Sequence, residues 1–243
     1  MPAVQTIVLP HLPHAPVHLA LFRDVKNAAF LRRQLLDGNQ AFEYAFLDAT
    51  AVCRHLAPLR TRQKKKTPHP RPHRLFFFLL STTHVLAAVF RALNDHLNAR
   101  LKSRNLHSEI VFSLSPNNNI ADSFRRFGVQ DTTTSLLAVK VSTETAPTSA
   151  EQVESHLSES VEGTAIAFTD ENLAEFTDLA RIRKIYKFDA ALPSQKGKNP
   201  PKNKRQTNGV THLSGTTSEE AAPRDDKMEM EACILGIMAL KGS

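Results

Sequence analysis

Short apolar runs alternate along this chain with segments whose apolar residues recur every three or four positions, and that alternation is what most narrows its fold. Val17–Phe22 has the composition of a short strand. Asn27–Leu36 is helical in spacing, with Ala28, Leu31 and Leu35 on one face and Gly38 as the stop. Phe42–Asp48 reads as extended. His84–Leu101 is the strongest helix, with Val85, Leu86, Val89, Leu93 and Leu97 assigned to one side. Glu109–Leu114 alternates and reads as a strand, Ile120–Phe127 as a short helix ended by Gly128, and Ser135–Val141 as a β-branched strand. Ser149–Ser160, Glu171–Leu179 and Met228–Leu240 are expected helices, and Ile182–Phe188 is apolar and basic by turns. Short strands interleaved with helices predict an α/β (α+β) fold: one small mixed or antiparallel sheet flanked by helices, in a single domain with irregular insertions.

Two stretches do not fit that domain. Residues 60–82 form a basic, proline-rich insertion that ends in a run of phenylalanine and leucine, Phe76–Leu80. Phe, Leu and Ser codons are pyrimidine-rich, so a retained intron and genuine protein are both open origins for this insertion. Residues 191–227, rich in Lys, Asn, Pro, Gly, Ser and Thr, read as a disordered linker. The expected organisation is therefore a domain over 1–190, interrupted at 60–82, then the linker, then a C-terminal helix at 228–241 that returns to the domain. No apolar run approaches the ~18 residues of a membrane span. The first 21 residues are broken by Pro10, Pro13 and Pro16 and do not resemble a signal peptide. An intracellular protein is expected.

The formal charge is +7, which suggests nucleic acid until its location is considered. Residues 60–74 carry seven cations and no acid, residues 191–227 carry a net +3, and the remainder is net −3. The basicity sits in the irregular segments and not on the expected core. A stand-alone nucleic-acid-binding protein using Lys64–Lys66 and Lys196–Arg205 is the competing reading.

Nothing in the sequence announces catalysis. Only Gly38, Gly128 and Gly163 precede residue 197, and no glycine-rich phosphate cradle exists. His69 and His73 are interleaved with prolines and have no carboxylate or thiolate nearby; with the His11, His14 and His18 series they are read as incidental. Cys53 and Cys233 are far apart and suggest no metal pair or disulfide framework. No cofactor is expected.

The most informative stretch is Ser108–Val129, SEIVFSLSPNNNIADSFRRFGV. Pro116 sets a turn, and the three asparagines suit a loop that bonds its own backbone. Asn119 is placed to cap the following helix, with Asp122 as an imperfect capping box. Functionally, the loop is a polar surface at the end of a strand.

The SLSPNNNI string, followed by a helix and Phe127-Gly128, resembles the TPRKB family of EKC/KEOPS subunits, here a fungal-type member. Other pieces agree in order: Phe22–Ala28, Leu101–Arg104, Val161–Gly163 and Arg183–Lys187. The resemblance covers residues 17–57, 84–188 and, loosely, 228–240, and it breaks at 60–82. It implies a small sheet flanked by helices and a binding role without catalysis. Its implied direct partner is the atypical kinase-like ATPase subunit of the complex. Beside that subunit lies the transferase that forms N6-threonylcarbamoyladenosine in tRNA. The resemblance further implies binding of the single-stranded tRNA 3′ end, allosteric support of the transferase, residence in nucleus and cytoplasm, and a telomere and transcription role in fungi.

Two residue sets are candidates for these contacts. For tRNA they are Lys102 and Arg104 with Ser115, Asn117, Asn118 and Asn119. For the kinase they are Ile234, Leu235, Ile237 and Met238 in the last helix, which is apolar on every side from Ala232 onward. Such a helix must be covered all round, and a terminal one leaves part of its surface to a partner. Ile234 and Ile237 are assigned to one face, Leu235 and Met238 elsewhere.

Overall fold

The computed structural model of the chain describes residues 4–49, 81–174, 182, 186 and 223–241, with side chains of the last helix from 228. Its sheet has five strands: β1 (Gln5–Ile7), β2 (Val17–Arg23), β3 (Ala45–Asp48), β4 (Leu136–Val141) and β5 (Thr164–Ile166). The order is β1-β2-β4-β3, and every pairing is antiparallel. β2 offers one edge to β4, from Val17 opposite Val141 to Phe22 opposite Leu136. Its other edge is shared: β1 takes Val17–Leu19 and β5 takes Leu21–Arg23.

Period-two alternation sorts the central strands between two layers. Val17, Leu19 and Leu21 of β2, Ala45 and Leu47 of β3, and Leu137, Val139 and Val141 of β4 share one core with α2 (Thr82–Leu97), α3 (Leu106–Leu114) and α7 (Pro223–Leu240). Ala20, Phe22, Phe46, Leu136 and Ala138 share the other with α1 (Ala28–Leu36) and α5 (Ala150–Ser160). Two shorter helices, α4 (Ile120–Phe127) and α6 (Asp170–Ala174), add Phe127 and Leu173 to the first core. The expected sheet flanked by helices is thus what the chain forms, with the antiparallel alternative realised.

Local signals explain the helix ends. The α1 helix stops at Gly38, whose φ of +71° is the left-handed region; its N–H reaches Leu35 O at 3.2 Å and the Asn39 N–H reaches Gln34 O at 3.1 Å, the paired bonds of a Schellman stop. Ser81 caps α2 by accepting the His84 N–H, and Ser149 with Gln152 makes a full capping box on α5.

Three expectations need correction. Glu109–Leu114 is helical, within α3, and is not a strand. Asn105 caps it by accepting the Ser108 N–H at 2.8 Å, and the buried Glu109 carboxylate accepts the N–H groups of Lys102 and Ser103, tying the preceding loop to the helix. The helix is buried nearly all round, so its apolar run carried no helical signature. On α2, Leu97 is 67% exposed and does not share the buried face of Val85, Val89 and Leu93. The last helix begins at Pro223, inside the span expected to be linker; proline is tolerated in a first helical turn. Residues 60–80 of the insertion with His69 and His73, residues 191–222 of the linker, 175–179 of the helix expected from Glu171, and most of Ile182–Phe188 lie outside the described residues. The strands β1 and β5 were not anticipated; each is three residues long and owes its form to pairing with β2.

Two buried histidines make the fold sensitive to acid. His84 is fully enclosed, its Nε2 3.2 Å from the Tyr186 hydroxyl, which donates to Leu114 O. Burial pushes its pKa down to about 4. His107 is lowered as well, by burial first, against an opposing pull from Glu43; its Nε2 accepts the Val141 N–H at 3.1 Å. Because folded His84 titrates below the ordinary value of 6.5, the unfolded chain binds more protons between those two pH values. Stability is therefore full above pH 6.5 and declines toward pH 4, by roughly 3 kcal/mol for this group. Melting curves of the parent and of His84→Gln across that range check this: the parent is expected to lose more stability than the variant, and parallel decline would contradict it.

Candidate functional site

The α2 and α7 helices lie side by side and run parallel. The Ser81 hydroxyl at the start of α2 donates to the Glu231 carboxylate, and ten residues further on Arg91 donates to the main-chain oxygen of Lys241. Between these two ties lies an apolar groove of about 520 Å³. Thr83, Leu86, Ala87 and Phe90 form one wall, Leu235, Met238 and Ala239 the other, and Leu9–His11 closes the side. That closing segment is a turn, Leu12 N–H to Leu9 O at 3.1 Å, with Pro10 second and His11 third at φ +68°. This is the residue order of a type II turn, with histidine where glycine is usual.

The groove continues onto exposed apolar surface. Leu86, Phe90 and Leu97 are spaced by four and seven, so they form a second stripe on α2 beside the buried one. Phe90 is 45% exposed and Leu240, at the end of α7, is 75% exposed. The outward side of α7 is small: Cys233, Gly236 and Ala239 are exposed, and a Cβ added at Gly236 would meet nothing within 4 Å. A large apolar patch rimmed by polar groups such as Arg91 and Asn94 is the character of a protein-docking surface.

The four candidates on α7 divide differently from the expectation. Ile234 and Met238 share a face with Met230, and all three are buried in the chain's own core. Ile237 is half-buried and packs against that core; Leu235 points into the groove, where Met238 also forms part of the floor. Ile234 and Ile237 thus both meet the core, as expected, and what is corrected is the placing of Met238 away from them. On a helix apolar all round, the sequence carries no periodicity from which the inward face can be read.

The polar loop after α3 is mostly self-contained. Ser115 is buried, and its hydroxyl donates to Asn117 Oδ1 at 2.9 Å. Asn117 also takes the Asn119 N–H and donates to Asp122 at 2.7 Å. Asn119 caps α4 as expected, accepting the Asp122 N–H at 3.0 Å. The Asp122 side chain does not complete a capping box; it turns to Asn117, Arg125 and Arg126, which together hold its pKa down against the burial that raises it. Asn118 is exposed. The loop follows a helix, not a strand, so Lys102 and Arg104 stand at the other end of α3, about 14 Å away along a nine-residue helix. Both are exposed, and the Arg104 guanidinium lies toward Gly38. The cations beside the loop are Arg125 and Arg126, which sequence reasoning passed over although the helix pattern of Ile120–Phe127 placed them one turn from Asp122.

Comparison with known proteins identifies the family. The family described as "Kinase binding protein CGI-121" matches residues 22–60 and 78–242, passing over the segment between them. The "EKC/KEOPS complex subunit cgi121" of Aspergillus fumigatus is 44% identical over 241 residues, covering 99% of this chain and 97% of the relative. Its counterpart from Aspergillus terreus is 45% identical with the same coverage, and that of Schizosaccharomyces pombe is 30% identical over 75% of this chain and 88% of its own. The resemblance carried by SLSPNNNI is borne out over the whole chain.

Proposed function

Because the chain belongs to the CGI-121 family of kinase-binding proteins, we propose that it is a non-catalytic subunit of an EKC/KEOPS complex and that it docks the complex's kinase at the α2–α7 groove. The observation that carries the location is an apolar groove between α2 and α7 that opens onto exposed phenylalanine and leucine. Co-purification with the kinase subunit tests it through a matched pair. Phe30 on α1 is 46% exposed, almost the same as Phe90, but lies on the opposite layer. Phe90→Asp is expected to abolish co-purification and Phe30→Asp to leave it intact; the reverse would sink the location.

The finer reading follows the family resemblance. The chain binds the single-stranded 3′ end of tRNA and supports N6-threonylcarbamoyladenosine formation allosterically, with the transferase an indirect partner, in nucleus and cytoplasm and at fungal telomeres. What supports a tRNA contact on the folded part is the exposed pair Lys102 and Arg104, with Asn118 and Arg125 at the far end of α3. Cations along phosphates and polar contacts to unstacked bases are how single strands are held. A double Lys102→Glu, Arg104→Glu variant is expected to weaken binding of intact tRNA roughly tenfold at low salt. Unchanged binding, or equal binding of tRNA lacking its 3′ end by the parent, would remove this contact.

A further inference from the structure

Where Arg91 meets the end of α7, beside the groove, the chain buries a lysine. Lys241 is only 6% exposed. Its ammonium donates to the main-chain oxygen of Phe112 and sits 3.4 Å above the centre of the Phe112 ring. Phe112 is in the last turn of α3, where the carbonyls carry the negative end of the helix dipole and a cation is favoured; the ring face adds a cation–π contact. Around the ammonium stand Arg91 from α2, Lys102 from the loop before α3, and Glu109 from α3 itself. The Glu109 carboxylate is buried, and its Oε1 has no hydrogen-bond partner among the described residues. Meanwhile the Lys241 carbonyl takes Arg91, which also pairs with Asp95 at 3.6 Å, holding the guanidinium at the groove's edge.

A buried ammonium is a costly way to fill this space, since an apolar side chain of similar length would pack there without losing hydration. Fixing geometry is what such a charge does better than a methylene. Resting on the reading of the α2–α7 groove as the kinase-docking surface, we propose that Lys241 is its positioning residue: seated on Phe112, it sets the last turn of α7 against α2 and α3, so that Leu235 and Ala239 face Phe90 across the groove and Arg91 is kept off its floor.

The test separates binding from folding. Lys241→Met keeps the length and removes the charge. Its melting temperature is expected to equal or exceed the parent's, while its affinity for the kinase subunit falls at least tenfold. Parental affinity in this variant overturns the proposal, and so does a loss of affinity matched by a loss of folded protein at the assay temperature. Should the methionine variant fail to fold, Lys241→Gln is read by the same criteria. A second readout is the pH profile. Burial, reinforced by Arg91 and Lys102 against the pull of Glu109, brings the Lys241 ammonium down to about 7. The ratio of parental to Lys241→Met affinity should therefore shrink between pH 6 and pH 9; a constant ratio counts against the proposal. Phe90→Asp is measured alongside. If it binds as the parent does, the groove reading itself fails; if it loses binding while Lys241→Met does not, only the role of Lys241 falls.

Discussion

Leu235→Asp is expected to lower affinity for the kinase subunit at least thirtyfold, with the protein still folded. Leu235 is half-exposed and lines the groove opposite Phe90. Burying such a side chain against a partner is worth roughly 1.5–3 kcal/mol. Truncating a central interface residue costs ~2 kcal/mol or more, which is about thirtyfold in the dissociation constant, and a carboxylate placed there adds its own desolvation on association. In the free protein the same carboxylate remains in contact with water at the groove mouth, so the melting temperature should move by no more than a few degrees. Calorimetric titration against the kinase, with a melt of each sample, reads both quantities. Parental affinity, or a variant that unfolds, would count against the assignment.

Ile234→Asp, one residue earlier, should do the opposite. Ile234 is fully buried between Met230 and Met238 on the face that α7 turns to the core. A carboxylate there has no water and no partner, the kind of substitution that costs more than about 4 kcal/mol. In a chain of this size that corresponds to a fall of about 10 °C or more in melting temperature, with kinase binding lost only because α7 detaches. A variant that melts with the parent and yet fails to bind the kinase would show that Ile234 faces outward. These neighbouring positions, chemically alike in the sequence, are told apart only by the packing of α7.

That contrast shows where the sequence is legible. Val17–Phe22, Asn27–Leu36, Ile120–Phe127, Ser135–Val141 and Ser149–Ser160 each combine a clear period with a cap or a stop, such as Asn119, Gly38 or Ser149, and each forms the element expected. The α3 helix lacked such a contrast. It is buried on almost every side, so apolar residues fill it without a period, and Ile110 and Val111 favour a strand until Asn105 and Glu109 fix the first turn. The α7 helix has the same difficulty, which is why Met238 is expected on a different face from Ile234 although both are buried in the core. The groove was half-visible: Leu86 and Phe90 were there to be read as a second stripe on α2, but α7, more than a hundred residues away, had to be placed beside them. Lys241 carried no signal at all, since a lysine one residue past a helix end ordinarily faces water.

Backbone hydrogen exchange of the chain, alone and in complex with the kinase subunit, reads out whether the α2–α7 groove is the docking surface. Binding is expected to slow exchange in α2 from Thr83 to Asn94 and in the last two turns of α7, while α1 and α5 on the opposite layer exchange as in the free chain. Slowing confined to α1 and α5, with α2 and α7 unchanged, would contradict it.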